Sequence, residues 1–278
     1  MTVKLSLFNK SNEVVREVFR PEFDIEDRIM SKEHPSELTL GSRSLAFNEG
    51  DYIRLEVDAP NTYVNVRFED TFEESLVFFG DTTVWDYEIP FSDDRKTAMK
   101  DTAFTGKGRY FSARLATKEE VGMYQNLARN RHANYQDLNI YPFAHANVET
   151  RNDPTFYARN AIDGIFANDD HGSYPYQSWG INQQDDAALT IEFGREVEID
   201  KVALTLRCDF PHDTWWNQAT LEFSDGTQEV ISLEKIPTRQ FKEIEKRTVT
   251  WVRMCNMQKG EPGPFPALTQ LELFGHNL

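Results

Sequence analysis

Residues 157–180 read YARNAIDGIFANDDHGSYPYQSWG, and the fold turns on how that run is read. A short apolar anchor, Ala161-Ile162, is followed by a polar stretch, Asn168-Asp169-Asp170-His171, and then by tyrosines and Trp179. Glycine, proline, asparagine and aspartate at this density are turn chemistry that a compact helix does not tolerate. A solvated linker would not carry so many aromatic rings. The run therefore reads as a structured loop that leaves an apolar anchor and leads back into a sheet.

Strand signals surround it. Downstream, Ala187 to Phe193, Val197 to Arg207, Gln218 to Phe223, Gln228 to Leu233, Thr248 to Cys255 and Ala267 to Phe274 are short apolar or alternating runs. Such runs, bounded by turn residues, are expected strands, and Ser224-Asp225-Gly226 is an expected hairpin turn. Upstream, Ala144 to Thr150 is another. Residues 1 to 115 carry a second series. Val3, Leu5 and Leu7 alternate with Lys4 and Ser6, the period of a half-buried strand. Leu38 to Phe47, Tyr52 to Val57, Tyr63 to Phe68, Leu76 to Phe79, Thr83 to Ile89 and Tyr110 to Ala113 continue it, and residues 91–108 read as a long surface loop. Between the two series, Thr117 with Glu120 is a capping box, and the spacing predicts a helix over 118–129. Residues 130–141 are polar and unpatterned, as a linker is. The expected fold is all-β: a β-sandwich domain over 1–116, a helix and linker over 117–141, and a second antiparallel β-sandwich over 142–278.

Composition narrows the function. The chain has 278 residues, 39% of them hydrophobic and 13% aromatic, enough for a buried core. Its formal charge of −16 argues against nucleic acid and anionic membrane surfaces, which need a basic patch. The first residues, MTVKLSLFNKSNEVV, contain no apolar segment of signal-peptide type, and no run is apolar enough to span a bilayer. A cytoplasmic location is the expectation. The two cysteines, Cys208 and Cys255, read either as free thiols near a core or as a disulfide between strands.

Several features in order then resemble one family. Ala161-Ile162-Asp163-Gly164, Trp179, Leu189-Thr190-Ile191-Glu192-Phe193-Gly194, Ile199-Asp200-Lys201-Val202 leading to Arg207, and the closing Leu271-Glu272-Leu273-Phe274-Gly275 match pieces of the discoidin, or coagulation factor 5/8 C-terminal type, domain. Phe223-Ser224-Asp225-Gly226 matches that family's Ser-x-Asp-Gly hairpin less one residue. The resemblance covers about residues 140 to 278 and extends to family 32 carbohydrate-binding modules, which share the galactose-binding-like jelly roll. It implies two sites. One is a structural cation, usually calcium, held by Asp163, a backbone carbonyl near Asn160, Asn168 and Gln270, with Asp169 or Asp170 in support. Gln270 departs from the glutamate common there, which removes a hard oxygen donor that calcium prefers.

The other implied site is a ligand pocket at the loop end of the sandwich, reached through Arg207. Around it the sequence offers Asp209, His212 and Asp213 as hydrogen-bonding groups. Trp215, Trp216 or Trp179 are the candidate flat rings, and His145 lies at the end of an earlier strand. Sugars ask for both: fixed polar partners for hydroxyls and aromatic faces for their C–H faces. One of Trp215 and Trp216 points inward if the run is a strand, because side chains alternate. His171, Tyr174 and Tyr176 are rim candidates. The leading expectation is a non-catalytic protein that binds a saccharide or sugar derivative. A hydrolase using Asp209, His212 and Asp213 for metal or acid–base chemistry is the alternative. A third reading is an interaction subunit for a protein partner, or a self-associating chain, with Val84-Trp85-Asp86-Tyr87 as a candidate surface.

Overall fold

The computed structural model describes residues 1–19, 26–92, 96–134 and 139–278. It is nearly all β and divides into two compact units. The first is built on Met1–Lys96 and Lys100–Ala116, the second on Thr97–Met99, Thr117–Tyr135 and Tyr141–Leu278.

In the first unit, β1 (Val3–Phe8), β4 (Ser31–His34), β6 (Tyr52–Val57) and β9 (Val84–Glu88) form one antiparallel sheet in the order β4-β1-β6-β9. A second sheet takes β5 (Glu37–Ser42), β7 (Thr62–Arg67), β8 (Ser75–Phe79), β10 (Arg109–Leu115) and the short β12 (Ile140–Tyr141), in the order β12-β8-β7-β10-β5. A separate hairpin pairs β2 (Arg16–Phe19) with β3 (Glu26–Ile29). The alternation read in the sequence is the sandwich's inside and outside: Ile53, Leu55 and Val57 are buried while Tyr52, Arg54 and Glu56 are not. Trp85 and Tyr87 are buried too, packed on Phe68 with ring centroids 5.1 and 5.3 Å away, so that strand presents Val84 and Asp86 outward rather than its rings. The expected surface loop over 91–108 is only partly superficial. Phe104 is buried, and its N–H donates to Glu69 at 2.9 Å. Residues 93–95 of that loop lie outside the described residues.

The second unit holds one eight-stranded antiparallel sheet. Its main path is β11 (Gln125–Asn126), β19 (Ala267–Asn277), β15 (Leu189–Leu206), β18 (Gln240–Lys259), β16 (Trp216–Phe223) and β17 (Gln228–Ser232). β13 (Phe143–Ala146) pairs with β15, and β14 (Trp179–Gly180) pairs with β19. The two strands expected over 187–193 and 197–207 are one, β15. It passes Gly194 and shifts register between Glu192 and Val197 and again between Ile199 and Lys201. Gly194 sits at φ +66° with the Tyr141 ring where a Cβ would be, so glycine is required there. The bulge at Ile199 brings the β15 backbone onto Gly275, where a Cβ would lie 1.8 Å from the Glu198 carbonyl. That approach is the reason for the terminal glycine after Phe274.

The capping box is present: Glu120 N–H donates to Thr117 Oγ1 at 3.2 Å and Thr117 N–H donates to Glu120 at 2.9 Å. The helix it starts, α1 (Lys118–Gly122), is shorter than the expected 118–129 because Met123 is extended and Gln125-Asn126 add to the sheet edge beside β19. Leu127, Ala128, Asn130 and His132 are buried in this unit, which a linker would not be. Residues 135–138 of the expected linker lie outside the described residues. Both cysteines are free thiols. Among the described residues no helix is long and apolar enough to cross a membrane.

Candidate functional site

The first candidate is the Asp163 loop. After the 3-10 turn Ala158–Ile162, the Asp163 carboxylate accepts four protein donors: Gln177 Nε2 at 2.6 Å, Gln270 Nε2 at 2.8 Å, the Ile165 N–H at 2.8 Å and Arg131 Nη1 at 3.0 Å. The amide of Gln270 is oriented by its other end. Its Oε1 accepts the Gly164 N–H at 2.9 Å, which turns Nε2 toward Asp163 and toward the Asn160 carbonyl at 2.6 Å. Asn168 likewise spends its Nδ2 on the Leu206 and Pro237 carbonyls, at 2.7 and 2.8 Å. These residues do not fit the expected calcium ion. Calcium needs convergent oxygens, whereas the centre is filled by N–H groups and a guanidinium. Burial pushes the Asp163 carboxyl up, and Arg131 is the largest opposing influence. Asp163, Gln177, Gln270 and Arg131 form a structural knot that joins three segments of the chain, with Arg131 as its built-in cation, while Asn168 ties the loop separately to Leu206 and Pro237.

The second candidate lies where β15 ends. A pocket of about 270 Å³ opens there, lined among others by Phe156, His171, Arg207, His212, Asp213 and Phe265. Arg207 and Asp213 are buried and form an ion pair, Nη2 to Oδ2 at 2.5 Å. The same Nη2 donates to the Phe265 carbonyl at 2.5 Å, while Arg207 Nε has no hydrogen-bond partner among the described residues. Burial pushes the Arg207 guanidinium down from its ordinary value, and Asp213 opposes that shift. A buried pair with unfilled hydrogen-bonding capacity costs the fold and marks a place where a polar ligand is rewarded.

Two imidazoles stand over this floor. His171 Nδ1 lies 2.5 Å from Asp209 Oδ2, and His212 Nδ1 lies 2.9 Å from Asp213 Oδ1 and 3.7 Å from Asp209 Oδ2. A carboxylate only accepts, so in the neutral rings Nδ1 carries the proton and each Nε2 is left as an acceptor. The rings stack, with centroids 4.8 Å apart and planes 9° apart, and Phe265 extends the stack at 6.4 Å from His212. Two loops make this possible. Cys208 N–H donates to the Asn168 carbonyl at 2.7 Å, tying the loop of His171 to the loop of Asp209, His212 and Asp213. Asp213 N–H in turn bonds back to the Asp209 carbonyl at 2.9 Å, closing the latter loop into one tight turn.

Of the residues expected to share a ligand, Arg207, His212 and Asp213 line this pocket and Asp209 joins them through His171. The tryptophans lie elsewhere. Trp179 and Trp216 are both fully buried, with centroids 6.4 Å apart, and Trp179 donates to the Val148 carbonyl at 3.0 Å. Trp216, first residue of β16, is the inward partner of the adjacent pair. Trp215 covers Gly260, whose missing Cβ leaves room for the indole. His145 sits on β13, exposed, 3.4 Å from Glu192 and stacked on Phe143. Tyr174 lies beneath the Arg131 guanidinium, 5.9 Å away, and Tyr176 lies outside the pocket lining. The aromatic wall instead comes from Phe156 and Phe265, which the sequence reading passed over. The available signal was Pro262-Gly263-Pro264-Phe265-Pro266, an apolar ring fixed among turn residues just before the last strand. Phe265 itself takes φ +57°, a left-handed conformation rare for a bulky residue.

No family model matches the chain, and no curated protein matches it. Solved structures do resemble part of it. A family 32 carbohydrate-binding module from C. perfringens NanJ, in complex with galactose, aligns at 13% identity over 55% of this chain and 99% of its own, with a TM-score of 0.39. A Streptococcus pneumoniae fucose-binding module aligns at 15% identity over 55% and 98%, with a TM-score of 0.40. A chitosan-binding module derived from a chitosanase/glucanase of Paenibacillus sp. IK-5 aligns at 18% identity over 55% and 100%, with a TM-score of 0.37.

Proposed function

We propose that the second unit is a non-catalytic saccharide-binding module and that its ligand occupies the pocket at the end of β15. One observation carries the reading: a buried, incompletely hydrogen-bonded Arg207–Asp213 pair lies directly beside a wall of stacked flat rings, His171, His212 and Phe265. Vicinal hydroxyls want charged partners in fixed positions, and the apolar face of a pyranose wants a flat ring next to them. The pocket volume suits one or two sugar rings rather than a long chain.

The test is calorimetric titration of the whole chain with a panel of neutral, amino and deoxy monosaccharides. Binding of at least one sugar is expected, weakened about tenfold or more in Phe265→Ala and in His212→Ala, both exposed enough to leave the core intact. A panel without any binder, or binding that survives both substitutions, overturns the reading. The short His171–Asp209 contact favours a second reading, acid–base chemistry on a sugar derivative. Turnover of chromogenic glycosides that is lost in His171→Ala would establish it in place of the first.

A further inference from the structure

We propose that His171, Asp209, His212 and Asp213 form a binding site for a divalent transition metal of the zinc type. Each offers one ligand atom, and the four atoms lie within 4.8 Å of one another. Two imidazole nitrogens with two carboxylate oxygens are a donor set that zinc, nickel or copper(II) takes readily. Calcium and magnesium do not select it, because they favour oxygen alone.

The placement of the four residues supports the proposal independently of their type. Asp209, His212 and Asp213 come from one tight turn, closed by the Asp213 N–H to Asp209 carbonyl bond. His171 arrives from a second loop fastened to the first by the Cys208 N–H to Asn168 carbonyl bond. Asp213 is the fixed member: its side chain is 1% exposed, its Oδ2 is held 2.5 Å from Arg207 Nη2, and its Oδ1 lies 2.9 Å from His212 Nδ1. The imidazoles are the adjustable members, 38% and 57% exposed. Zinc ligands sit about 2.0–2.2 Å from the ion, so neighbouring donors lie roughly 3.3–3.6 Å apart around a tetrahedral centre. Rotation of two exposed rings covers the remaining distance. Electrostatics agree. Two carboxylates against one guanidinium leave the cluster negative before a cation arrives, in a chain of formal charge −16.

The metal site does not depend on the saccharide reading, and the two separate experimentally. Zinc chloride is titrated calorimetrically into the sugar-free whole chain, with calcium chloride titrated in parallel. One zinc per chain is expected, with no calcium heat. His171→Ala and His212→Ala should each weaken zinc binding more than about 100-fold, since losing a direct ligand exceeds the usual effect of losing a supporting residue. His145→Ala, on an exposed histidine outside the cluster, should bind zinc as the parent does. Circular dichroism of each variant confirms that the fold is kept. Absence of stoichiometric zinc binding overturns the proposal. So does zinc affinity unchanged in His171→Ala and His212→Ala, or calcium binding as tightly as zinc.

Discussion

Replacing Arg131 with alanine isolates the cation built into the Asp163 knot. Both partners are nearly inaccessible, with side chains 7% and 6% exposed, and they meet at 3.0 Å. Removing one member of a buried ion pair costs about 3–5 kcal/mol, because the other charge stays desolvated. Here Gln177, Gln270 and the Ile165 N–H still hold the carboxylate, which places the expected loss near the lower end, about 3 kcal/mol. For a unit of this size that is a fall in melting temperature of roughly 6–12 °C. The pH sign follows from Asp163. Its carboxyl is already pushed up by burial, and losing Arg131 pushes it further. A group whose folded pKa exceeds its unfolded value stabilises the fold most below the unfolded value and loses that contribution as pH rises through the folded one. The penalty of Arg131→Ala is therefore larger at pH 8 than at pH 5. Urea unfolding followed by tryptophan fluorescence reads this unit well, since Trp179, Trp215, Trp216 and Trp251 belong to it and Trp85 to the other. The double variant Arg131→Ala, Gln270→Glu replaces a cation and an amide donor by an open position and a carboxylate, and its melting temperature is expected to rise with added calcium. A variant within 0.5 kcal/mol of the parent, or calcium stabilising the parent itself, would refute the built-in cation.

Other substitutions test the frame. Gly275→Ala forces a Cβ into the Glu198 carbonyl, and about 3 kcal/mol or more of stability should be lost, measured by thermal unfolding. Burial pushes the Glu17 carboxyl up, but donors from Ser42, Ser44 and Arg28 outweigh it and hold it at about 2. Its stabilisation of the first unit is thus complete above the unfolded value near 4.5 and is lost as pH falls toward 2. Glu17→Gln should flatten that acid limb by about 1–2 kcal/mol after screening by solvent. Burial pushes the thiols of Cys208 and Cys255 up to about 11, so iodoacetamide at pH 8 should label both far more slowly in the native chain than in urea, as mass spectrometry would report.

The all-β class was legible because alternation is a local property: each of Ile53, Leu55 and Val57 declares its face by its neighbours. The capping box was legible for the same reason, but the length of its helix was not. Val121, Tyr124, Leu127 and Ala128 keep helical spacing, yet pairing of Gln125-Asn126 with β19 wins, and that partner lies about 150 residues away in sequence. The site divides along the same line. Arg207 was reached through the resemblance, and His212 and Asp213 because polar groups crowded in the turn that follows it stand out in a sequence. Phe265 and Phe156 were missed because they reach the pocket from other segments. The tryptophans drew attention by size, but an indole at the start of a strand facing the sheet interior is core, as Trp216 is. Asp163 was identified as the centre of a loop. Only the geometry exposes Arg131 as its partner, because 32 residues separate them.

The bulged strand β15 has a consequence for how the second unit comes apart. Over its 18 residues it is bonded to β13, β18 and β19, and each of those pairings joins distant parts of the chain. Freeing β15 therefore breaks pairings to three other strands at once. Such a network of non-local pairings folds slowly and opens as a single cooperative unit. Amide exchange in β15 should therefore proceed only through global unfolding, while the turn at 208–213 exchanges through local opening. The walls of the pocket can breathe, but the strand that delivers Arg207 to it stays still until the whole sheet is lost.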